Sequence, residues 1–342
     1  MHIIATIGPK SMDKWVLKEF AEQGVDVVRL NFSHFNEEDF KSTINNVRQL
    51  GKDVKILADL CGKKVRISEK LDGIYKIYNG EEVCFCGEDV YSALHLKSIK
   101  DMKFIPLNLS GENISSQNID KISMKDDTMR FDIKENKNGM LRAIVLKGGI
   151  VRAGKGCNLP ELKREDIKLT EKDKRDILWA LNEGVDIICQ SYVENVLDIV
   201  EVKKFIEVNT KGTEPKIWAK VETPEGIEKL SSFYSEVDAV VIGRGDLLPE
   251  SGVLNAVHFE YEALEMLVKH QKTAIIATHL LNSMGKGERA MLPEVESIYN
   301  FIKIGVSGFM LAGETSVGKA PIKTVQFLKR TIEYFTKGGN KS

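Results

Sequence analysis

The residues best suited to chemistry in this sequence are Lys220 and Glu222, two positions apart, and Asp246 beyond them. In the strand-like run Ile217 to Glu222, Trp218, Lys220 and Glu222 share one face and Ile217, Ala219 and Val221 the other, because side chains alternate along a strand. An ammonium and a carboxylate on one buried face are costly unless they are paired or used. The run Val237 to Ile242 is wholly apolar and stops at Arg244-Gly245-Asp246. Such a strand suits a parallel sheet covered by helices, with its chemistry at the carboxyl end. Lys220, Glu222 and Asp246 are therefore expected at one mouth. Two carboxylates there make a site for a hard cation, and a lysine beside them can meet a phosphoryl group. A structural salt bridge is the plainer reading of Lys-x-Glu taken alone, so the rest of the chain has to decide.

The elements that must position these residues follow a regular rhythm. His2 to Ile7, Val25 to Phe32 and Val54 to Leu60 read as strands, with helices near Asp13 to Gln23 and over Glu37 to Leu50. From about Ile67 to Leu159 the rhythm breaks into short strand-like pieces punctuated by Asn79-Gly80, Lys137-Asn138-Gly139 and Gly148-Gly149. It resumes with helix Thr170 to Asn182, strand Val185 to Gln190 and helix Val196 to Val208. Strands Ile217 to Glu222 and Val237 to Ile242 come next. Helix Leu254 to His270, strand Thr273 to Ala277, helix Pro293 to Ile304, strand Gly308 to Leu311 and helix Pro321 to Phe335 complete it, ahead of a polar tail at 337–342. The fold class expected is α/β, a (β/α)8 TIM barrel with an inserted small β-barrel lid. The expected boundaries are 1–66 for the first part of the barrel, 67–160 for the lid and 161–342 for the second part.

Composition narrows the partners. The 342 residues are 42% hydrophobic and 29% charged, ordinary for a globular protein. With 49 basic and 50 acidic residues the net charge is −1, which advertises no attraction to nucleic acid or membrane. No apolar run approaches about 18 residues, and the start MHIIATIGPKS lacks the layout of a signal peptide. Cys61, Cys84, Cys86, Cys157 and Cys189 show neither zinc spacing nor an even count, so free thiols in a cytoplasmic protein are expected.

Seven segments, ATIGPKS, VVRLNFSH, KGCNLP, AKVE, GRGDL, ATHLLNSM and MLAGETSVG, fall in order at strand ends or at the close of the insert. Together they make the chain resemble pyruvate kinases, whose barrel carries a β lid after its third strand. The usual C-terminal regulatory domain of that family is not in this sequence, so a short form insensitive to sugar phosphates is expected, with a homodimer through the barrel as the assembly left open. The resemblance implies phosphoryl transfer between phosphoenolpyruvate and ADP or ATP with Mg²⁺ or Mn²⁺. It puts Glu222 and Asp246 on the metal and Lys220 and Arg29 on the transferring phosphoryl. Gly245 and Asp246 would offer backbone N–H groups to the substrate carboxylate, and Thr278 would assist proton delivery. Arg66 and Lys155 would contact nucleotide phosphates, with Asn31 and His34 assigned beside them from the NFSH segment. The bland alternatives are a strand-end salt bridge for Arg29, a solvated turn for Lys155 and helix capping for Ser33 and His34.

Departures from the family pattern bear on the substrate. D-T-K-G-P-E-I-R becomes Asp59-Leu60-Cys61-Gly62-Lys63-Lys64-Val65-Arg66. Phe35 and Leu248 replace glycines, His279 a glutamine, Glu194 and Leu292 arginines, and Val317 a lysine. Phe35 and Val317 lie where nucleotide contacts are expected, and Leu248 beside the carboxylate-binding turn. Asn31, Ser33 and Asp59 remain of the family's K⁺ site, but Leu60 offers no oxygen. Lys64, Leu60 and Ile67 match the K⁺-independent branch, so the Lys64 ammonium is expected to substitute for K⁺. Two other functions stay open: a Mg²⁺-dependent aldolase or lyase of the pyruvate-binding barrels, and a non-catalytic regulatory module.

Overall fold

A computed structural model describes residues 1–94, 102–125, 127–165, 167 and 169–337. Most of the expected polar tail, from 338 on, lies outside the described residues. The chain forms two compact units. One comprises Met1–Gly62, Lys168–Gly245 and Ala256–Ser342, the other Lys63–Ile167 and Asp246–Asn255.

In the first unit, eight parallel strands close into a barrel in chain order. They are β1 (His2–Thr6), β2 (Val27–Asn31), β3 (Lys55–Asp59), β4 (Ile187–Gln190), β5 (Lys216–Val221), β6 (Ala239–Gly243), β7 (Thr273–Ala277) and β8 (Gly308–Leu311). The last two match their expected bounds, and the others begin or end within two residues of them. Ile4, Val27, Leu57, Ile187, Cys189, Trp218, Ala239, Val241, Ile275, Ala277 and Met310 form one buried cluster that draws on every strand and fills the barrel. The alternate residues, such as Ile3, Val28, Ile56, Ala219, Val240, Ile276 and Phe309, are buried as well. Burial on both faces explains why these strands read as continuous apolar runs.

The main outer helices are Lys14–Glu22, Glu37–Arg48, Glu171–Asn182, Val196–Asn209, Val253–Lys269, Leu292–Ile304 and Pro321–Thr336. Asn36, Thr170 and Asn195 accept hydrogen bonds from backbone N–H groups in the first turns of their helices, satisfying donors that would otherwise be orphaned. Asp26, Asp186 and Asp238 precede strands and accept from Ile3 N, Ile56 N and Ile217 N, which staples neighbouring strands at their amino ends. Between β5 and β6 there is only a one-turn helix, Pro224–Glu228, followed by two 3₁₀ turns. A further helix, Arg244–Ser251, begins directly after β6.

Gly62 follows β3 with φ of +62°, and a Cβ there would lie 2.1 Å from Ser191 O. Glycine is needed both for the left-handed backbone and for the close approach. Gly62→Ala is expected to cost at least about 2 kcal/mol of stability, measurable by urea unfolding; an unchanged midpoint would show that this loop relaxes freely.

The second unit is built on a six-stranded sheet in the order Cys157–Asn158, Lys121–Met124, Met129–Lys137, Met140–Lys147, Glu82–Gly87, Lys103–Leu107. Isolated bridges Ile67↔Leu107 and Arg66↔Gly156 link its two outer strands through residues 66 and 67, so the sheet curls back on itself. Its interior is filled by Val65, Val83, Ile105, Leu141 and Val145 around Phe85 and Phe131, whose rings meet edge to face at 5.0 Å. At the turn Asn138-Gly139 both residues have positive φ, as a tight hairpin between right-twisted strands requires. Two short helices, Glu88–Ala93 and Gly111–Ser115, interrupt the strands.

Candidate active site

The carboxyl ends of β1, β2, β3 and β5 bring a buried charge network together inside the barrel. Arg29 Nε donates to Asp59 Oδ2 at 2.7 Å, and Arg29 Nη1 donates to Thr6 Oγ1 at 2.8 Å. Lys220 Nζ donates to Asp59 Oδ2 at 2.9 Å and Oδ1 at 3.1 Å, and lies 3.5 Å from Glu222 Oε1. Ser191 Oγ donates to Asp59 Oδ1 at 2.9 Å, and Tyr192 N donates to Glu222 Oε2 at 3.2 Å. The alternation expected of β5 accounts for this: Trp218 enters the apolar cluster of the barrel, while Lys220 lies on the same face nearer the carboxyl end. Gly243, at the end of β6, leaves room for Glu222, since a Cβ there would come within 2.6 Å of Glu222 Cγ.

Two cations and two carboxylates balance in this network. Burial opposes ionisation of Asp59, but Lys220 and Arg29 outweigh it and hold the carboxyl below its ordinary range. Burial likewise opposes the Lys220 ammonium, yet Asp59 and Glu222 raise its pKa above the usual lysine value. Lys220 is therefore a fixed positive charge at neutral pH.

Backbone strain gathers at the carboxyl ends of two other strands, β4 and β7. Tyr192, after β4, has φ of +54°, and Thr278 and His279, after β7, have φ of +67° and +51°. A left-handed conformation is costly for a β-branched threonine, so the surroundings must impose it. Arg244 does so from the start of its helix, donating from Nε to Thr278 O at 3.1 Å and from Nη2 to His279 O at 2.9 Å. Glu314 supports the same loop: its Oε1 accepts from Leu280 N and Leu281 N, and its Oε2 from Ala312 N. A Cβ on Gly245 would stand 3.4 Å from Thr278 Oγ1, so that backbone borders the threonine.

Asn31 caps the 3₁₀ turn Phe32–His34 by accepting from Ser33 N, and His34 closes that turn. Phe35 stacks on Phe32 at 5.4 Å and meets Phe40 and Trp179 edge to face at 5.4 and 5.1 Å. The residue in place of a glycine thus completes an aromatic cluster.

In the second unit, Lys64 Nζ is ion-paired with Asp246 Oδ1. Asn158 Nδ2 donates to Asp246 Oδ1 at 3.3 Å and to Glu250 Oε1 at 2.9 Å, and the buried Arg164 donates from Nη2 to both Glu250 oxygens at 3.1 Å. Arg66 Nη1 donates to Gly154 O at 3.0 Å, and Lys155 Nζ donates to Ile150 O. Burial, Lys125 and Arg152 all lower the pKa of Lys155.

Sequence reasoning missed Arg244, Glu314 and Tyr192, and assigned Asp59 only to a cation site. Arg244 and Glu314 were visible as charged residues at the carboxyl ends of apolar strands. Nothing local in the sequence distinguishes Tyr192, whose strain depends on the loop it closes.

A closed eight-stranded parallel barrel with charged and strained residues at its carboxyl ends has the form of a TIM-barrel enzyme. Residues 1–325 match the family model for pyruvate kinase, barrel domain, and the chain belongs to that family. Similar relatives include a pyruvate kinase of Sporosarcina psychrophila, 29% identical over 334 residues, covering 96% of this chain and 56% of the relative. A pyruvate kinase of Mycobacterium tuberculosis (strain ATCC 25618 / H37Rv) is 30% identical over 340 residues, covering 96% of this chain and 69% of its own length. One from Thermococcus litoralis is 30% identical over 340 residues, with 97% and 70% covered. The chain thus spans little more than half of the first relative and about two thirds of the others.

Among the described residues, no helix is long and apolar enough to cross a membrane. All five cysteines are free and buried.

Proposed function

We propose that this chain transfers a phosphoryl group between phosphoenolpyruvate, or a closely related enol phosphate, and ADP. The observation that carries this reading is the pair of cations, Arg29 and Lys220, fixed around Asp59 at the barrel's carboxyl end. In the direction of ATP formation, the bond from phosphorus to the enol oxygen breaks and a bond to the terminal phosphate oxygen of ADP forms. The enolate then takes up one proton at carbon. Phosphoryl transfer asks the protein for positioning and charge cancellation more than for covalent chemistry. Lys220, held as an ammonium, neutralises the phosphoryl oxygens, and Arg29 grips the same group as a fork. Neither cation has to be recruited, because Asp59 already holds both in place.

We assign a divalent cation, Mg²⁺ or Mn²⁺, to Glu222 and Asp246; oxygen-only ligands suit a hard ion. When bound it would supply charge to the phosphoryl and enol oxygens. Gly245 and Asp246 orient the substrate carboxylate with backbone N–H groups at a helix start. Thr278, locked in its strained loop, steers the proton to the enolate carbon. For the nucleotide phosphates we assign Arg66 and Lys155, with Asn31 and His34 beside them. An anion would relieve the repulsion that Lys125 and Arg152 exert on Lys155. Free, buried thiols suit a cytoplasmic location, and nothing in the charge balance calls for nucleic acid or membrane.

K⁺ is not required in this reading. Lys64 provides a built-in positive charge, and Leu60 removes an oxygen from the family's cation site. Turnover is expected to be nearly equal in Na⁺, K⁺ and tetramethylammonium buffers of matched ionic strength, and to fall in Lys64→Glu. A strong K⁺ requirement in the unmodified protein would overturn this.

The deciding experiment is phosphorus NMR of phosphoenolpyruvate with each nucleoside diphosphate and Mn²⁺ or Mg²⁺. Transfer to ADP is the expected result. Carbon–carbon cleavage without nucleotide, or no reaction with any diphosphate, would remove the proposal in favour of a lyase or a binding module.

A further inference from the structure

A second cluster of metal-ligating side chains uses none of the residues assigned above. Cys61 Sγ and one carboxylate oxygen each of Asp173 and Asp176 lie within 4.8 Å of one another, and all three residues are buried. Cys61 belongs to the loop after β3; Asp173 and Asp176 sit on one face of helix Glu171–Asn182, three residues apart. The geometry is held by the backbone. Asp173 Oδ1 accepts from Cys61 N at 3.1 Å and Gly62 N at 3.3 Å, and Thr170 caps the helix on Asp173 N.

Asp173 is fully buried, and among the described residues its other oxygen, Oδ2, has no hydrogen-bond partner. A buried carboxylate oxygen without a donor is costly, and native structures rarely tolerate one. Asp176 Oδ2 is bound by Lys172 Nζ at 2.5 Å, which also donates to Phe32 O at 3.0 Å. Burial pushes both carboxyls up, against the pull of the Lys172 ammonium and, on Asp176, of the Arg175 guanidinium; a dication would offset the charge that these two carboxylates and a thiolate carry when ionised. The pyruvate kinase motif has a lysine where Cys61 stands, so the exchange removes an ammonium from this position and introduces a thiol.

We propose that Cys61, Asp173 and Asp176 form a zinc-class divalent metal site that pins the loop after β3 to helix Glu171–Asn182. Thiolate and carboxylate together favour Zn²⁺ or Co²⁺ over Mg²⁺. Ligand atoms around a tetrahedral Zn²⁺ stand roughly 3.3–3.5 Å apart at the usual bond lengths, so these three, now within 4.8 Å of one another, would close in around the ion. Water completes the coordination. Ser33 Oγ, 3.5 Å from Cys61 Sγ, supports the sulfur from the neighbouring loop, and Lys172 keeps Asp176 oriented. Binding releases the thiol proton to solvent. None of the three ligands is among the residues assigned to phosphoryl transfer, so the site stands whether or not that reading does.

The test uses the full chain, stripped with chelator and titrated with Co²⁺ and then with Zn²⁺ against a chromophoric competitor. One equivalent of Co²⁺ is expected to give a thiolate-to-cobalt charge-transfer band that Zn²⁺ displaces. Cys61→Ser should abolish the band and weaken Zn²⁺ binding at least about tenfold, whereas Glu222→Gln should retain the band. Zn²⁺ should also raise the thermal midpoint of the unmodified protein and not that of Cys61→Ser. Should Cys61→Ser fail to fold, Asp173→Asn serves instead, with the same loss of affinity expected. Absence of the band in the unmodified protein, or its survival in Cys61→Ser, overturns the proposal.

Discussion

Lys220→Met is expected to lower turnover at least about a thousandfold, the scale of losing a principal charge-stabilising group. The substitution removes an ammonium that contacts both oxygens of Asp59 and also approaches Glu222. The fold should survive, because Asp59 keeps Arg29 and Ser191 as donors. Methionine fills a similar volume at a position lying just above Trp218 on the same strand face. The measurement is phosphoryl transfer by phosphorus NMR alongside far-ultraviolet circular dichroism. A folded Lys220→Met protein with near-normal turnover would sink the charge-cancellation mechanism. A lost fold would show instead that Lys220 is chiefly structural.

Asp59→Asn is expected to destabilise the protein by about 3–5 kcal/mol, the cost of leaving buried charges unpaired. Asparagine preserves the shape but offers no counter-charge, so Arg29 and Lys220 would repel each other across it. The pH dependence follows from the directions of the shifts. The pKa of Asp59 is depressed in the folded state, so its stabilisation is fully present above the unfolded value of about 3.9 and is lost as pH falls through the folded one. That of Lys220 is raised, so its stabilisation is present below about 10.4 and lost as pH rises through its folded pKa. Urea unfolding of both proteins from pH 3 to 7 is the check, with the Asn variant expected to show the shallower acid decline. Coincident curves would mean that Asp59 is not the electrostatic hub described above.

These two residues separate what was readable in the chain from what was not. Lys220 declared itself, because strand alternation puts it with Trp218 and Glu222 on one face of an otherwise apolar run. Asp59 did not. Its role depends on Arg29 from the adjacent β2 and Lys220 from β5, two strands away, both meeting it, and no local pattern encodes which side chains of different strands touch. Gly243 is similar, since its need for glycine arises from Glu222 on the neighbouring strand.

The sequence by itself determined the eight strands, to within two residues at each end, and the family motifs at the strand ends. Apolar runs of period two, helical stripes and turn residues are local consequences of backbone geometry, so they survive in one dimension. Only the tertiary structure decided that Arg244 and Glu314 hold Thr278 and His279 in a strained loop, because that work is done by hydrogen bonds over more than thirty positions of chain. Only it showed Lys64 paired with Asp246, and Cys61 beside Asp173 and Asp176. The distance between two side chains far apart in sequence is set by how the strands close and the helices pack, and it leaves no trace in composition or spacing.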